Sequence, residues 1–415
     1  MLETHFVAPK TLQRLRLGLS GTYIDGFARW LDQAGYSHAT VLRYLRAAAH
    51  LGHFLEQHCR TLEDIDSSTA AVFFGHFATC RCPYSKGGKR NHHPFFGAKR
   101  YREYLVQIGV CQDRPPAKPN APEPALVVGF QQWLLKHRGV AHGTVSLYSR
   151  EAIALVGALG NDPNGWNAKD IRRYFVERTS QCGAGTAEKL VTSLRAFLRY
   201  LGVYGHCRAD LHEAVPGFAA WHLADMPRYL ATEQLELLIA ACEGHTPRRR
   251  RDRAIILLLA RLGLRAGDVA QLRMADIEWS NGTILVMGKG RYQVRLPLPQ
   301  DVGDAIIDYL ECRPKIHDND RIFIRNIAPR RPFLDGDGIS SVVRGAMRRA
   351  GVATPAKGAH ALRHTAATQM LRHGVPLDKI ALVLRHRGID TTAYYAKSDV
   401  TLLSQIAQPW PTVLS

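Results

Sequence analysis

The sequence predicts a mainly α fold with a small β-sheet: two successive N-terminal helical bundle domains, then an α+β domain. Three observations lead there. Residues 21–111 and 125–205 carry one helical pattern twice. Between the copies, Pro115, Pro116, Pro119, Pro122 and Pro124 crowd into ten residues, a density that favours a stiff, extended linker. Alternation with a period of two, the mark of half-buried strands, marks residues 281–298. The resulting division is 1–114 for the first bundle, 115–124 for the linker, 125–210 for the second bundle and 225–415 for the last domain.

The copies match from their first residues. Phe27-x-x-Trp30-Leu31 returns as Phe130-x-x-Trp133-Leu134, and Gly35-Tyr36-Ser37-His38-Ala39-Thr40-Val41 as Gly139-Val140-Ala141-His142-Gly143-Thr144-Val145, with Tyr44 and Tyr148 extending the match. Their ends align as Tyr104 to Val110 against Phe197 to Val203. Matching starts and ends point to a duplicated small bundle. The first copy is longer, through an insertion around Cys80-Arg81-Cys82-Pro83 and His92-His93, with His76 nearby. Thiolate and imidazole are zinc ligands, but neither C-x-C nor adjacent histidines fit the common knuckle spacings. The insertion is therefore assigned no metal, and its basic loop, Lys86 to Arg90, is read as facing phosphate.

Lys and Arg number 55 against 36 Asp and Glu, a net charge of +19 with pI near 9.8. The excess is shared: 27 basic against 17 acidic residues in 1–224, and 28 against 19 in 225–415. Both halves should face a polyanion. The apolar run Ala254 to Ala260 is far short of the roughly 20 residues of a bilayer span, and MLETHFVAPK lacks the layout of a signal peptide. Eight scattered cysteines fit reduced thiols, so the expected setting is cytoplasmic, with no membrane partner.

After a second linker, from Val215-Pro216-Gly217 to Met226-Pro227-Arg228, Thr232 is placed to N-cap a helix with Glu233 in its first turn. Arg248 to Arg251 and Arg253 form a basic block that is either solvated or anion-binding. In Leu262-Gly263-Leu264-Arg265-Ala266-Gly267-Asp268, two glycines bracket Arg265 where one helix turns into the next. Ile284, Val286, Val294 and Leu296 alternate around Gly288-Lys289-Gly290, a hairpin with Lys289 at its turn.

Chemistry concentrates in residues 357–397. His360 and Arg363 lie one helical turn apart on a face steadied by Leu362, Ala366, Met370 and Leu371. Gly374 and Pro376 end that helix. A second helix, with Ile380, Leu382, Val383 and Leu384, is expected to run to His386 and stop near Gly388, and Asp390-Thr391-Thr392 to cap a third that carries Tyr394 and Tyr395. Arginine holds phosphate through paired charged hydrogen bonds, histidine moves protons near neutrality, and tyrosine can be a covalent nucleophile.

H-A-L-R-H-T-A-A-T-Q-M-L followed by L-R-H-R-G-I-D-T-T-A-Y-Y resembles the second signature box of the tyrosine recombinases, the phage integrase family, and Leu262 to Leu272 resembles the first box. The resemblance spans residues 125 to about 400. It implies that residues 125–210 are a core-binding domain and 225–415 the catalytic domain, with the first bundle an addition. It also implies a site of Arg265, Lys289, His360, Arg363, His386 and Tyr395. Tyr395 lies nine residues after His386, where the family keeps its nucleophile; the neighbouring phenol Tyr394 and the cation Arg291 stay open as alternatives to Tyr395 and Lys289. Asp268 stands where the family often has glutamate. The implied activity is site-specific DNA recombination through a 3′-phosphotyrosine, serving movement or resolution of a mobile element, with double-stranded DNA and a homo-oligomer, a tetramer on paired sites, as partners, related recombinases as further ones, and no cofactor and no metal. A type IB topoisomerase-like enzyme and a catalytically silent DNA-binding protein are the competing readings.

Overall fold

The computed structural model describes residues 2–66, 68–76, 80, 82, 93–112, 123–180, 182–217, 229–287, 293–316, 319–353, 358–386 and 392. Its contacts divide the chain into two units, one of residues 1–114 with 226–415 and one of residues 115–225. The first bundle contains α1 (Pro9–Arg16), α2 (Gly21–Gln33), α3 (His38–Gln57), α4 (Thr69–His76) and α5 (His93–Gln107). The second contains α6 (Ala125–Arg138), α7 (His142–Leu159), α8 (Ala168–Thr179) and α9 (Ala184–Val203). Each has its own apolar core.

The duplication is visible in ring geometry. Phe27 and Trp30 stack with centroids 6.0 Å apart and Phe130 and Trp133 at 6.1 Å. Phe27 meets Tyr101 at 5.0 Å and 61°, and Phe130 meets Phe197 at 5.1 Å and 58°. Phe27 lies 5.6 Å from Tyr104, and Phe130 lies 5.5 Å from Tyr200. In both bundles a glycine, Gly26 or Gly129, lies directly under the tyrosine hydroxyl, where any Cβ would collide with it.

These pairs correct the alignment of the copies' ends. Tyr101 corresponds to Phe197 and Tyr104 to Tyr200, three residues away from the match of Tyr104 with Phe197. The left-handed glycines agree, since Gly109 (φ 78°) corresponds to Gly205 (φ 73°) and not to Gly202. A three-residue slip is nearly one helical turn, so the apolar pattern reads almost equally well in both registers. Only the positive φ and the ring contacts separate them.

The C-terminal part of the first unit is built on α10 (Thr232–Ala240), α11 (Pro247–Arg261) and α12 (Ala266–Gln271), a sheet of β1 (Ile277–Glu278), β2 (Thr283–Met287) and β3 (Gln293–Pro297), then α13 (Gln300–Cys312), α14 (Gly336–Arg349), α15 (Ala359–Arg372) and α16 (Leu377–Leu384). Ala254 to Ala260 are all buried, so this stretch of α11 is apolar on every side, and the helix forms the axis on which α12, α13, α14 and α15 pack. Thr246 caps it by accepting the Arg249 N–H at 3.3 Å, with Pro247 in the first turn. The sheet is antiparallel in the order β1-β2-β3, with Ile284 opposite Leu296 and Val286 opposite Val294, as the alternation predicts. Thr232 is not a cap: it is the first helical residue of α10, and the Gln234 side chain instead accepts the Ala231 N–H at 3.2 Å. The first bundle touches this part where the Arg330 N–H donates to the Ala34 carbonyl at 2.9 Å.

The basic block in the first turns of α11 is largely taken up in contacts within the protein. Arg251 is buried, pairs with Asp252 at 2.6 Å and donates to the Ile324 carbonyl at 3.1 Å. Arg349 reaches the other Asp252 oxygen at 2.8 Å, and Arg250 and Arg253 pair with Glu311 and Glu243. Among the described residues no helix is long and apolar enough to cross a membrane.

The glycine under each tyrosine gives a test whose sign is informative. Helix propensity alone favours Ala over Gly by about 1 kcal/mol. Gly26→Ala should nevertheless destabilise the chain by about 1–3 kcal/mol, the usual range for overpacking. With Tyr104→Phe added, the nearest ring atom is 3.2 Å from that Cβ, and most of the loss should be recovered. Urea unfolding of the two single variants and the double variant measures the coupling, and additive effects would refute the steric account.

Candidate active site

Arg363 organises the site. It lies one turn after His360 on α15, is 4% exposed, and donates from its two terminal nitrogens to the carbonyls of Gly263 and Leu384. Gly263, just beyond α11, adopts φ 58°, and a Cβ there would run into the Leu384 side chain. Glycine thus allows both the turn and the close approach of α16. On the opposite face, the buried Thr365 hydroxyl donates to the Ala361 carbonyl at 2.9 Å and accepts the Leu230 N–H at 2.9 Å, fixing α15 to the start of this domain.

Arg265 is the residue before α12 and has extended backbone (φ −74°, ψ 146°). Its Nη2 donates to the Arg385 carbonyl at 2.7 Å, while its Nη1 is buried with no hydrogen bond among the described residues. Asp268 accepts the Arg265 N–H at 3.2 Å and pairs with Arg385 at 2.8 Å. The shorter acid therefore reaches two partners from the first turn of α12.

The two arginines thus hold the consecutive carbonyls of Leu384 and Arg385, immediately before His386. Helix α16 ends at Leu384, earlier than the run to His386 that the apolar pattern suggests, because Arg385 turns left-handed (φ 56°, ψ 49°). This costs a non-glycine residue about 1–2 kcal/mol. The Asp268 ion pair and the bond from Arg265 hold it there. His386 follows, with Nδ1 2.8 Å from the hydroxyl of Thr392, which is fully buried. Thr392 thus spends its hydroxyl on the imidazole.

The histidines feel the arginines. Burial, then the charges of Arg363, Arg265 and Arg385, push His386 down to about 4. His360 is lowered by crowding against protein and by Arg363. His364 packs edge-on to His360 with centroids 4.2 Å apart, and burial, His360 and Arg363 bring it to about 4. Neutral imidazoles beside guanidiniums suit hydrogen bonding and proton transfer to an anion.

Of the six site residues read from the sequence, the structure brings Arg265, His360, Arg363 and His386 together. Lys289 and Tyr395, with Tyr394 and Arg291, lie outside the described residues. Arg385 Nη1 is 3.4 Å from the carbonyl of Met287, the last residue of β2, so the same arginine also holds the strand that leads to Lys289. Sequence reading missed Arg385 and His364, and took Thr392 for part of a helix cap rather than a partner of His386. Arg385 gives no signal of burial in L-R-H-R-G, whereas the fourth-residue spacing of His360 and His364 was available to find the latter.

A half-buried Arg265 and a buried Arg363 converge with neutral imidazoles on the end of α16, an arrangement suited to holding an oxyanion. A family model for the phage integrase family matches residues 228–401. The chain is similar to a putative integrase/recombinase, y4rA, of Sinorhizobium fredii, 34% identical over 408 residues that cover 96% of this chain and 97% of that protein. It also resembles the tyrosine recombinase XerD of Listeria monocytogenes, 28% identical over 65% of this chain and 93% of that one. Among solved structures, the XerH site-specific recombinase bound to palindromic difH substrate shares the fold, with a TM-score of 0.55 at 18% identity over 83% of this chain and 97% of that one. The chain belongs to the phage integrase family, the tyrosine recombinases, and is a site-specific DNA recombinase.

The histidines make stability pH-dependent. His364 and His386 keep the ordinary value near 6.5 when unfolded and about 4 when folded, so the unfolded chain binds their protons first as pH falls. Their contribution is complete above about 6.5 and is lost progressively towards 4. His364→Gln should flatten the fall in Tm between these limits, as followed by thermal unfolding in matched buffers; an unchanged acid slope would contradict the assignment.

Proposed function

We propose that this recombinase cuts and rejoins double-stranded DNA through a 3′-phosphotyrosine on Tyr395. The observation that carries the reading is the fixing of Arg265 and Arg363 to the two carbonyls preceding His386, which concentrates cationic donors at one point. There they would bind the non-bridging oxygens of the scissile phosphate and stabilise the charge of the pentacoordinate transition state. The Tyr395 oxygen attacks phosphorus and the 5′ oxygen leaves, taking a proton from Lys289, with His360 assisting proton transfer and His386 hydrogen-bonding the phosphate. The new phosphotyrosyl ester keeps the energy of the broken bond, so the 5′ hydroxyl of another strand reverses the step without ATP.

The exchange requires paired sites, which supports a homo-oligomer, a tetramer, on DNA in the cytoplasm. A mobile-element role is supported by the likeness to the Sinorhizobium integrase/recombinase and by the fold shared with the Tn1549 transposon integrase in complex with circular intermediate DNA (TM-score 0.51, 18% identity, 68% of this chain and 99% of that one).

Tyr395→Phe keeps the ring and removes the nucleophile. It should abolish covalent protein–DNA adduct on a nicked suicide substrate while changing DNA affinity less than about twofold, since phosphate contacts dominate binding. Adduct that persists in Tyr395→Phe and disappears in Tyr394→Phe would move the nucleophile by one residue. Relaxation of supercoiled plasmid with no joining between sites would favour the topoisomerase-like reading.

The first bundle is proposed as a second DNA-contacting module. Its aromatic geometry repeats that of the second bundle, and an alignment covering 96% of the chain carries it into the Sinorhizobium relative. A fragment starting at Ala125 should still cleave, but with a shorter footprint and a shallower salt dependence, each lost phosphate contact removing about 0.9 from the slope of log K against log salt. Equal slopes and footprints would make the bundle an interaction cap instead.

A further inference from the structure

Besides carrying the extra helix α1, the first bundle differs from its sister in the connection before its last helix. Between α4 and α5 lie residues 77–92, whereas α8 and α9 are joined by residues 180–183 alone. Cys80 and Cys82 belong to that longer connection. The structure folds them back against α3 and the end of α4: Cys80 Sγ is 3.2 Å from His50 Nε2, and Cys82 Sγ is 3.3 Å from His76 Nε2. The Cys82 N–H also points at Cys80 Sγ, at 3.4 Å. All four donor atoms lie within 4.8 Å of one another, the only such group of His, Cys, Asp and Glu among the described residues.

Tetrahedral zinc with bonds of about 2.3 Å to sulfur and 2.0–2.1 Å to nitrogen needs donors separated by about 3.3–3.8 Å. The two S···N edges, 3.2 and 3.3 Å, lie at or just below that distance, so small side-chain movements would seat an ion. His50 is 2% exposed in the interior of α3, an unusual burial for an imidazole. The sister helix has Ala154 at the matching position, counted from Tyr44 and Tyr148. Ala154 is only half-buried, so the sister bundle neither buries nor needs an imidazole at this place, whereas in the first bundle His50 is buried facing two thiols and a second imidazole.

We propose that His50, His76, Cys80 and Cys82 form a structural zinc site that ties the inserted connection to the bundle. Four protein ligands leave no open position, and two thiolates neutralise the ion, as in closed structural sites. Local spacing among His76, Cys80, Cys82, His92 and His93 fits no common zinc knuckle, so the sequence by itself assigns the chain no metal. His50 lies in a helix 26 residues before His76, beyond any local motif. The inference is independent of the recombination chemistry, since the site is read without DNA.

The test is metal content of the full-length chain purified without chelators or metal-affinity resin. One zinc per chain by mass spectrometry is expected, and exchange for cobalt(II) should give the intense visible absorption of tetrahedral thiolate coordination. Cys80→Ser and His76→Gln, both at half-buried positions, should each lower retained zinc about tenfold or more, with circular dichroism confirming the helices. Because a variant could fail to fold, wild type is also stripped with a strong chelator. Its melting temperature should fall, and equimolar zinc should restore it. Wild-type protein with less than about one tenth of an equivalent, no zinc-dependent melting temperature and freely titrating thiols would overturn the proposal. So would a Cys80–Cys82 disulfide in the isolated chain.

Discussion

The site depends on how the chain disposes of the carbonyls at helix C-termini. The last four carbonyls of a helix have no partner within it, and the end carries a partial negative charge. Gly263 lies just past α11 and Leu384 is the last residue of α16; both carbonyls accept from Arg363, while the Arg385 carbonyl accepts from Arg265. Burying a guanidinium in an apolar setting is costly, and charged hydrogen bonds to two helix ends offset that cost where the arginine is needed. The arrangement also explains why lysine could not serve. A point charge cannot span two carbonyls held by separate helices, whereas the planar fork reaches both.

Once the two arginines are fixed, the rest of the site is constrained. Arg385 can adopt a left-handed conformation because Asp268 holds its side chain while Arg265 holds its carbonyl. That turn ends α16 and sets His386 beside the guanidiniums. Asp268 in its turn caps α12, so one carboxylate couples the start of a helix to the end of another. Motifs far apart in the chain are thus parts of one polar joint, and a change at Gly263, Asp268 or Arg385 reaches Arg265, Arg363 and His386.

Most of this was legible in local spacing. His360 and Arg363 sit where a helical turn places them, the alternation around residues 281–298 paired in the register that Ile284 and Val286 imply, and Gly374 ended α15. What escaped the sequence shares one physical cause: it depends on partners distant in the chain. The end of α16 is decided by Arg265, 120 residues earlier; the fate of the basic block is decided by Asp252, which turns Arg251 and Arg349 inward; and the true register of the duplicated ends is decided by a glycine φ that no apolar pattern encodes. His50 belongs to the same class. It looks like one more helical residue until the connection 77–92 returns Cys80 beside it.

The neutrality of His386 follows from the same joint and bears on how the site would respond to its substrate. Burial, and then the charges of three arginines, depress its pKa, so at neutral pH the ring holds one proton, on one nitrogen. Thr392 faces Nδ1, and if its hydroxyl donates there, the proton sits on Nε2, where the ring becomes a donor towards an anion. An anion entering among Arg265, Arg363 and His386 cancels part of the field that keeps the ring neutral, and linkage requires that it raise the imidazole pKa as it binds. A phosphate would therefore be met by a neutral donor and, as its negative charge grows along an attack on phosphorus, by a ring increasingly able to hold a second proton. In the mechanism proposed above, burial and the arginines would withhold that proton in the free protein until charge appears.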